Sequence, residues 1–244
     1  MIATEPACHR CMLQPVCSAS SHANGPEAKI IQPIQRSVGA GEALYRQGQL
    51  ARMVFAVRAG AAKLVYEAAS GWQQLIDYAF GGEVLALGLD HERALYQESA
   101  VALQTTVVCV VPAESWRAAQ THASIRDAGQ AALQRADMRR RNLLVVLGQL
   151  NSPQRLAMLL LDLHAESISR ARTPPIVLPF SRADMASYLG LTVETVSRLL
   201  HRFASAGLIQ VNHRLVHIID PAGLEQVLTD DESLPDVRLA PRGR

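Results

Sequence analysis

The chain of 244 residues is 49% hydrophobic and 19% charged, with a formal net charge of +2. That profile belongs to a globular protein and excludes a disordered or fibrous one. The longest apolar runs, 143–147 and 156–161, fall well short of the roughly 18 residues that cross a bilayer, and no basic stretch followed by an apolar one opens the chain. The expected location is the cytoplasm, with no membrane partner. The distribution of charge says more than its total. Lys29 and Lys63 are the only lysines, while Arg135, Arg139, Arg140 and Arg141 cluster mid-chain and Arg182, Arg198, Arg202 and Arg214 gather near the end.

Residues 1–28 hold Cys8, Cys11 and Cys17 among Pro, Ser, His, Ala and Gly, with no helical or strand period. This predicts an irregular arm, ordered by something other than a hydrophobic core. Residues 29–122 change to short apolar runs punctuated by glycine, such as MVFAVRAGAAKLVYEAASG, QLIDYAFGGEVLAL and ALQTTVVCVVP. Turn signals every ten residues or so predict a β-barrel or roll. AESWRAAQTHA is a short helix, and residues 123–151 form a long one. On it Leu133, Ala136, Arg140, Leu143 or Leu144, Leu147 and Leu150 fall on or near one stripe, as in a coiled-coil seam. Ser152 as N-cap with Pro153 at the first helical position starts another helix. Residues 170–180 are a proline-broken connection, residues 152–230 form a last module, and residues 231–244 read as a frayed tail.

Within that last module, SRADMASYLG offers Ser181 as N-cap, Asp184 in the first turn, and Met185, Ala186 and Leu189 at helical spacing. Gly190 permits a tight turn. Thr192 caps the next helix, which buries Val193, Val196, Leu199, Leu200 and Phe203 and presents Glu194, Thr195, Ser197, Arg198, His201 and Arg202. Gly207 stops it, and LIQVNHRLVHII alternates like a hairpin wing. A solvated helical face alone would explain the polar residues. Two capped helices, the glycine turn and the wing together favour a reader of double-stranded DNA. Its first turns meet base edges in the major groove, where Arg donates to guanine and Glu accepts from cytosine.

The four cysteines form C-x2-C-x5-C plus Cys109. Disulfides are disfavoured in a reducing cytosol. A zinc ion and a 4Fe-4S cluster both take four thiolates, and the spacing leaves them equal. Taken alone, Cys109 in TTVVCVVP reads as a buried strand residue. His9 and His22 read as solvated arm residues.

GLTVETVSRLLHRFASAGLI resembles the recognition region of the CRP/FNR family, and the E-x-x-S-R spacing of Glu194, Ser197 and Arg198 matches its FNR branch. The resemblance implies an α+β fold: an N-terminal β-roll of the cyclic-nucleotide-binding type, a long dimerisation helix and a C-terminal winged helix-turn-helix. It implies a homodimer in which Glu194, Ser197 and Arg198 read palindromic TTGAT-type sites, with Arg202 and Arg182 on phosphates. FNR-type sensors carry three N-terminal cysteines at this spacing and a fourth on a late strand of the roll. The implied cofactor is therefore an oxygen-labile 4Fe-4S cluster on Cys8, Cys11, Cys17 and Cys109. RNA polymerase is an implied partner, met by exposed loops of the roll such as the 68–74 hairpin with Trp72 at its tip.

Two departures from the family stand out. CRP-type receptors hold the nucleotide phosphate with an Arg-Ser or Arg-Thr pair, where this chain has Gln97, Glu98 and Ser99. With no cation there, and Glu98 repelling a phosphodiester, a cyclic nucleotide is not expected. FNR proteins place an acidic residue where Arg140 stands. The run 139–141 is either a like-charge barrier across the seam, in which case Arg140→Ala strengthens the dimer, or a solvated face. No Gly-rich phosphate loop, nucleophile elbow or His metal motif points to an enzyme. The alternative reading is a zinc-stabilised or redox-thiol regulator with the same DNA reader.

Overall fold

A computed structural model describes residues 7–14, 17, 31–88, 93–169, 176–177, 180–212 and 215–229. The chain divides into two compact units, Met1–Arg141 and Asn142–Arg244. Among the described residues no helix is long and apolar enough to cross a membrane.

The first unit is built on two antiparallel four-stranded sheets. One runs in the order β1 (Ile34–Val38), β8 (Thr106–Pro112), β3 (Met53–Ala59), β6 (Val84–Leu85); the other runs β2 (Ala43–Tyr45), β7 (Ser99–Ala102), β4 (Ala61–Glu67), β5 (Gln73–Phe80). Val54, Val108 and Val111 are wholly buried in the first sheet and Ala62, Ala79 and Ala100 in the second. The small side chains let strand pairs of the second sheet pack closely, so its alanine-rich runs form strands in spite of weak β propensity. Gly60 joins β3 to β4 at φ +96°, and a Cβ there would lie 2.8 Å from the Thr106 Cα, so only glycine fits. The buried Thr106 hydroxyl completes the corner by donating to the Ala61 carbonyl at 2.9 Å.

A short helix, α1 (Ala113–Ala119), sets Trp116 into this core, with its indole N–H donating to the Leu87 carbonyl at 3.3 Å. The long helix α2 (Ala123–Gln149) packs against Trp116 at Gly129. Gly129 eases that approach, because a Cβ there would stand 3.3 Å from the Trp116 ring, with the Met12 methyl at 3.6 Å. The N-terminal arm differs from expectation. Among its described residues Ala7–Arg10 form a 3-10 turn, Leu13 is buried in the roll core, and Cys17 bridges to the fully buried Ile31. Hydrophobic burial therefore does anchor the arm.

The second unit holds α3 (Ser152–Ser169), α4 (Arg182–Leu189), α5 (Val193–Ser205) and a three-stranded sheet of β10 (Ile209–Asn212), β11 (Leu215–Ile218) and β9 (Ile176–Val177), followed by α6 (Pro221–Thr229). The start of α3 falls one residue earlier than expected. Asn151, not Ser152, is the cap: the Gln154 N–H donates to Asn151 Oδ1 at 3.1 Å and the Asn151 N–H to Gln154 Oε1 at 3.0 Å, a reciprocal capping box. Helix α6 falls inside the expected last module but is not expected there as a separate element. Its signal was Asp220–Pro221, an N-cap followed by a proline in the first turn, and Asp220 Oδ1 does accept from the Gly223 N–H at 2.9 Å.

Candidate functional site

The helix pair α4–α5 is fixed by its own termini. Ser181 and Asp184 form a capping box, the Asp184 N–H donating to Ser181 Oγ and the Ser181 N–H to Asp184 Oδ2, both at 3.0 Å. Gly190 ends α4 in the left-handed conformation at φ 61°. Thr192 then caps α5 by accepting from the Thr195 N–H at 3.2 Å. Val196, Leu199, Leu200 and Phe203 are buried, whereas Val193 is 42% exposed. Val193 is the first helical residue and precedes the point where α5 meets the core, so its expected burial does not hold.

Glu194, Ser197 and Arg198 sit at i, i+3 and i+4, which places them on one face of α5. Glu194 is fully exposed. Hydrogen bonds involving its own backbone N–H and the Thr192 side chain hold its carboxyl below the ordinary carboxylate value, helped by Arg198. It therefore stands as an ionised acceptor at neutral pH. The exposed Arg198 guanidinium is steadied by a bond to Thr195 Oγ1 at 3.3 Å. Arg202 follows one turn later and is half-buried, while Arg182 is exposed at the start of α4. Beneath the turn, Arg155 ties three helix segments together. Its Nη2 donates to the Leu147 carbonyl at 2.7 Å, Nε to that of Leu150 at 2.8 Å, and Nη1 to that of Leu189 at 3.1 Å. Sequence reading missed this residue, because its three acceptors are main-chain atoms.

The four cysteines come together around one pocket. Cys8, Cys11, Cys17 and Cys109 line it with Leu13, Gln14, Pro33, Ala56, Val57 and Arg58. Two short turns tie the described part of the arm here: the Cys11 N–H donates to the Cys8 carbonyl at 3.1 Å and the Cys17 N–H to the Gln14 carbonyl at 3.4 Å. Cys109 reaches the pocket from β8, between Gln35 of β1 and Ala56 of β3. All four are free thiols. Burial, with the neighbouring cysteines adding to it, pushes the Cys11 thiol up to about 12. Burial likewise pushes Cys109 up to about 11, against the pull of Arg58. Such thiols resist ionisation unless a cationic group compensates them, and a thiolate-bound metal group does so. The donor set thus fits a four-thiolate group, although among the described residues no three or more His, Cys, Asp or Glu side chains are already arranged to hold a metal ion. His22 and the side chain of His9 lie outside the described residues.

On α2 the expected seam is only partly exposed. Leu144 is 70% exposed and Leu133 47%, Ala136, Leu147 and Leu150 are half-buried, and Leu143 is buried; Met138 and Val145 add exposed apolar surface that the heptad pattern did not include. Arg139 and Arg140 are neither a solvated run nor a bare like-charge pair. Arg139 bonds Asp77 Oδ1 at 3.0 Å and Glu83 Oε1 at 2.9 Å, and Arg140 lies 3.5 Å from Glu98 Oε1. Only Arg141 is a surface residue, paired with Asp137 one turn back. Trp72 is 58% exposed, not at the tip of the β4–β5 hairpin but at the closing end of its loop, where its carbonyl accepts from the Ala68 N–H at 2.8 Å.

Residues 154–227 match the model of the Crp-like helix-turn-helix domain and residues 35–122 that of the cyclic nucleotide-binding domain. The chain is 33% identical to the transcriptional regulatory protein btr of Bordetella pertussis, over 91% of this chain and 93% of that one. It is 32% identical to the transcriptional activator protein anr of Pseudomonas aeruginosa, over 87% and 88%. Among solved structures, FixK2 from Bradyrhizobium japonicum matches with a TM-score of 0.72 at 24% identity, over 80% of this chain and 97% of that one. The curated relatives are transcription regulators, not enzymes. With both domain models matched in order and relatives that span the chain, this protein belongs to the CRP/FNR family of DNA-binding transcription regulators.

Proposed function

We propose that this regulator senses oxygen through a 4Fe-4S cluster on Cys8, Cys11, Cys17 and Cys109 and, as a homodimer in the cytoplasm, binds palindromic TTGAT-type sites. The observation that carries the reading is the meeting of all four cysteines, three from the arm and one from β8, at a single apolar-walled pocket. When bound, the cluster supplies an oxygen-labile tie between arm and roll. The chain's own residues carry the signal onward. Met12 of the arm and Trp116 both lie against Gly129, so a shift of the arm is felt directly by α2.

The side of α2 that carries Leu133, Ala136, Leu143, Leu144 and Leu147, with Leu150 just past its end, pairs two chains, while Arg140 of the same stripe turns to Glu98 of its own roll. The pairing sets two recognition helices about one DNA turn apart. At each half-site Arg198 donates to guanine, Glu194 accepts from a cytosine amino group and Ser197 serves either role, while Arg202 and Arg182 hold phosphates. The exposed Trp72 hairpin is the surface offered to RNA polymerase. Anaerobically purified protein should be brown, contain iron and sulfide in equal amounts, and bleach in air. A colourless protein with one zinc would replace this reading with the zinc-stabilised regulator.

A further inference from the structure

The roll contains a partly buried acidic cluster that neither the DNA reader nor the thiol pocket uses. Asp77 on β5 is 1% exposed, Glu83 follows in the turn after β5, and Glu98 precedes β7. Backbone donors hold two of them in place: the Tyr78 N–H bonds Asp77 Oδ1 at 2.8 Å and the Phe80 N–H bonds Glu83 Oε2 at 2.7 Å. Three carboxylates at one partly desolvated place repel one another and call for cations. The ion pairs described at this cluster all come from α2. Arg139 bridges Asp77 and Glu83. Arg140 bridges Glu98 at 3.5 Å and, more distantly, Asp77 at 3.8 Å. Burial works against the charge on Arg139, but Glu83 and Asp77 outweigh it and raise its pKa above the ordinary arginine value.

Two consecutive helix residues seated in one cluster define the helix's position closely. A slip of one residue would move α2 by about 1.5 Å and turn it by about 100°, which breaks both sets of contacts at once. We infer that Arg139 and Arg140 are positioning residues that fill the roll's acidic interior as an internal ligand and clamp α2 to the roll in one register. The exposed apolar side of the helix is then presented without a small-molecule effector. The sign of the Arg140 effect reverses accordingly. Its charge is already balanced within its own chain, so Arg140→Ala leaves carboxylates uncompensated and loosens α2 instead of relieving a repulsion.

The clamp stands on intrachain geometry, and only its consequence for self-association rests on the homodimer reading. The test is a charge swap in the full chain purified in air: Glu98→Arg, Arg140→Glu and the two combined. Amide hydrogen exchange is followed at residues 133–141, with residues 156–163 of α3 as the control for global folding. Each single variant should speed exchange at 133–141 by about tenfold, an allowance that discounts a buried pair for its partial exposure, and leave 156–163 unchanged. The swap should recover most of that loss. Singles without effect, or a swap no better than the worse single, would overturn the clamp. If a reversed charge unfolds the chain, seen as faster exchange at 156–163 too, Glu98→Gln and Arg140→Gln replace it. Non-additive effects then support the pair and additive ones refute it. Sedimentation of the same variants separates the two readings. A dimer unchanged while α2 exchanges faster would contradict the seam, whereas the exchange result decides the clamp alone.

Discussion

The DNA reader and the thiol pocket belong to one chain but are specified in opposite ways. The reader is local: its caps, glycine turn and recognition face lie within residues 181–207, and the start of each helix is capped between residues three positions apart. The thiol pocket is non-local. Cys109 must be carried to the arm by β8, between β1 and β3, before its thiol can join the other three at one pocket. A local device survives changes elsewhere in the molecule, while an assembled one reports on them. Such a pairing suits a protein that couples a signal to DNA.

Changes in the reader should act whatever the metal content. Phe203 is wholly buried, so Phe203→Ala should cost about 3–5 kcal/mol and lower the urea midpoint of the second unit. An equal shift in the first unit would mean that the two units unfold together. Arg198→Ala should cost about 1–3 kcal/mol in affinity for the specific site, with little change on random DNA, as read by competition binding. Equal losses on both would make Arg198 a phosphate contact instead. Ser181→Ala, which removes the capping box, should cost about 1 kcal/mol of stability.

The pocket should show itself through pH. Burial raises Cys11 from 9.0 to about 12 and Cys109 from 9.0 to about 11. A raised folded value means that the unfolded chain loses these protons first. In metal-free protein the thiols' contribution to stability is therefore full below pH 9.0 and is lost as pH rises through about 11 and about 12. Urea midpoints should fall across that window, and fall less in Cys11→Ala. Parallel curves would place Cys11 in solvent.

The same contrast explains what could be read in advance. Ser181, Thr192, Gly190 and the wing were legible because capping and turn chemistry act over a few residues. The roll was legible from its spacing of turns. The partners of Arg139 and Arg140 were not, since Asp77, Glu83 and Glu98 lie 62, 56 and 42 positions away and a charge run on a helix gives no hint of what faces it. Leu13 was hidden for a similar reason. A single apolar residue in a polar arm carries no period, and only the assembled roll gives it a place to be buried.

The most direct test of the central claim measures binding to a TTGAT palindrome by wild type and Cys109→Ser, each prepared without oxygen and again after exposure to air. Anaerobic wild type should be brown and bind tighter than the air-exposed protein by about tenfold or more, while Cys109→Ser should be colourless and bind weakly in both. A wild type that is free of iron, or that binds equally before and after air, would contradict it.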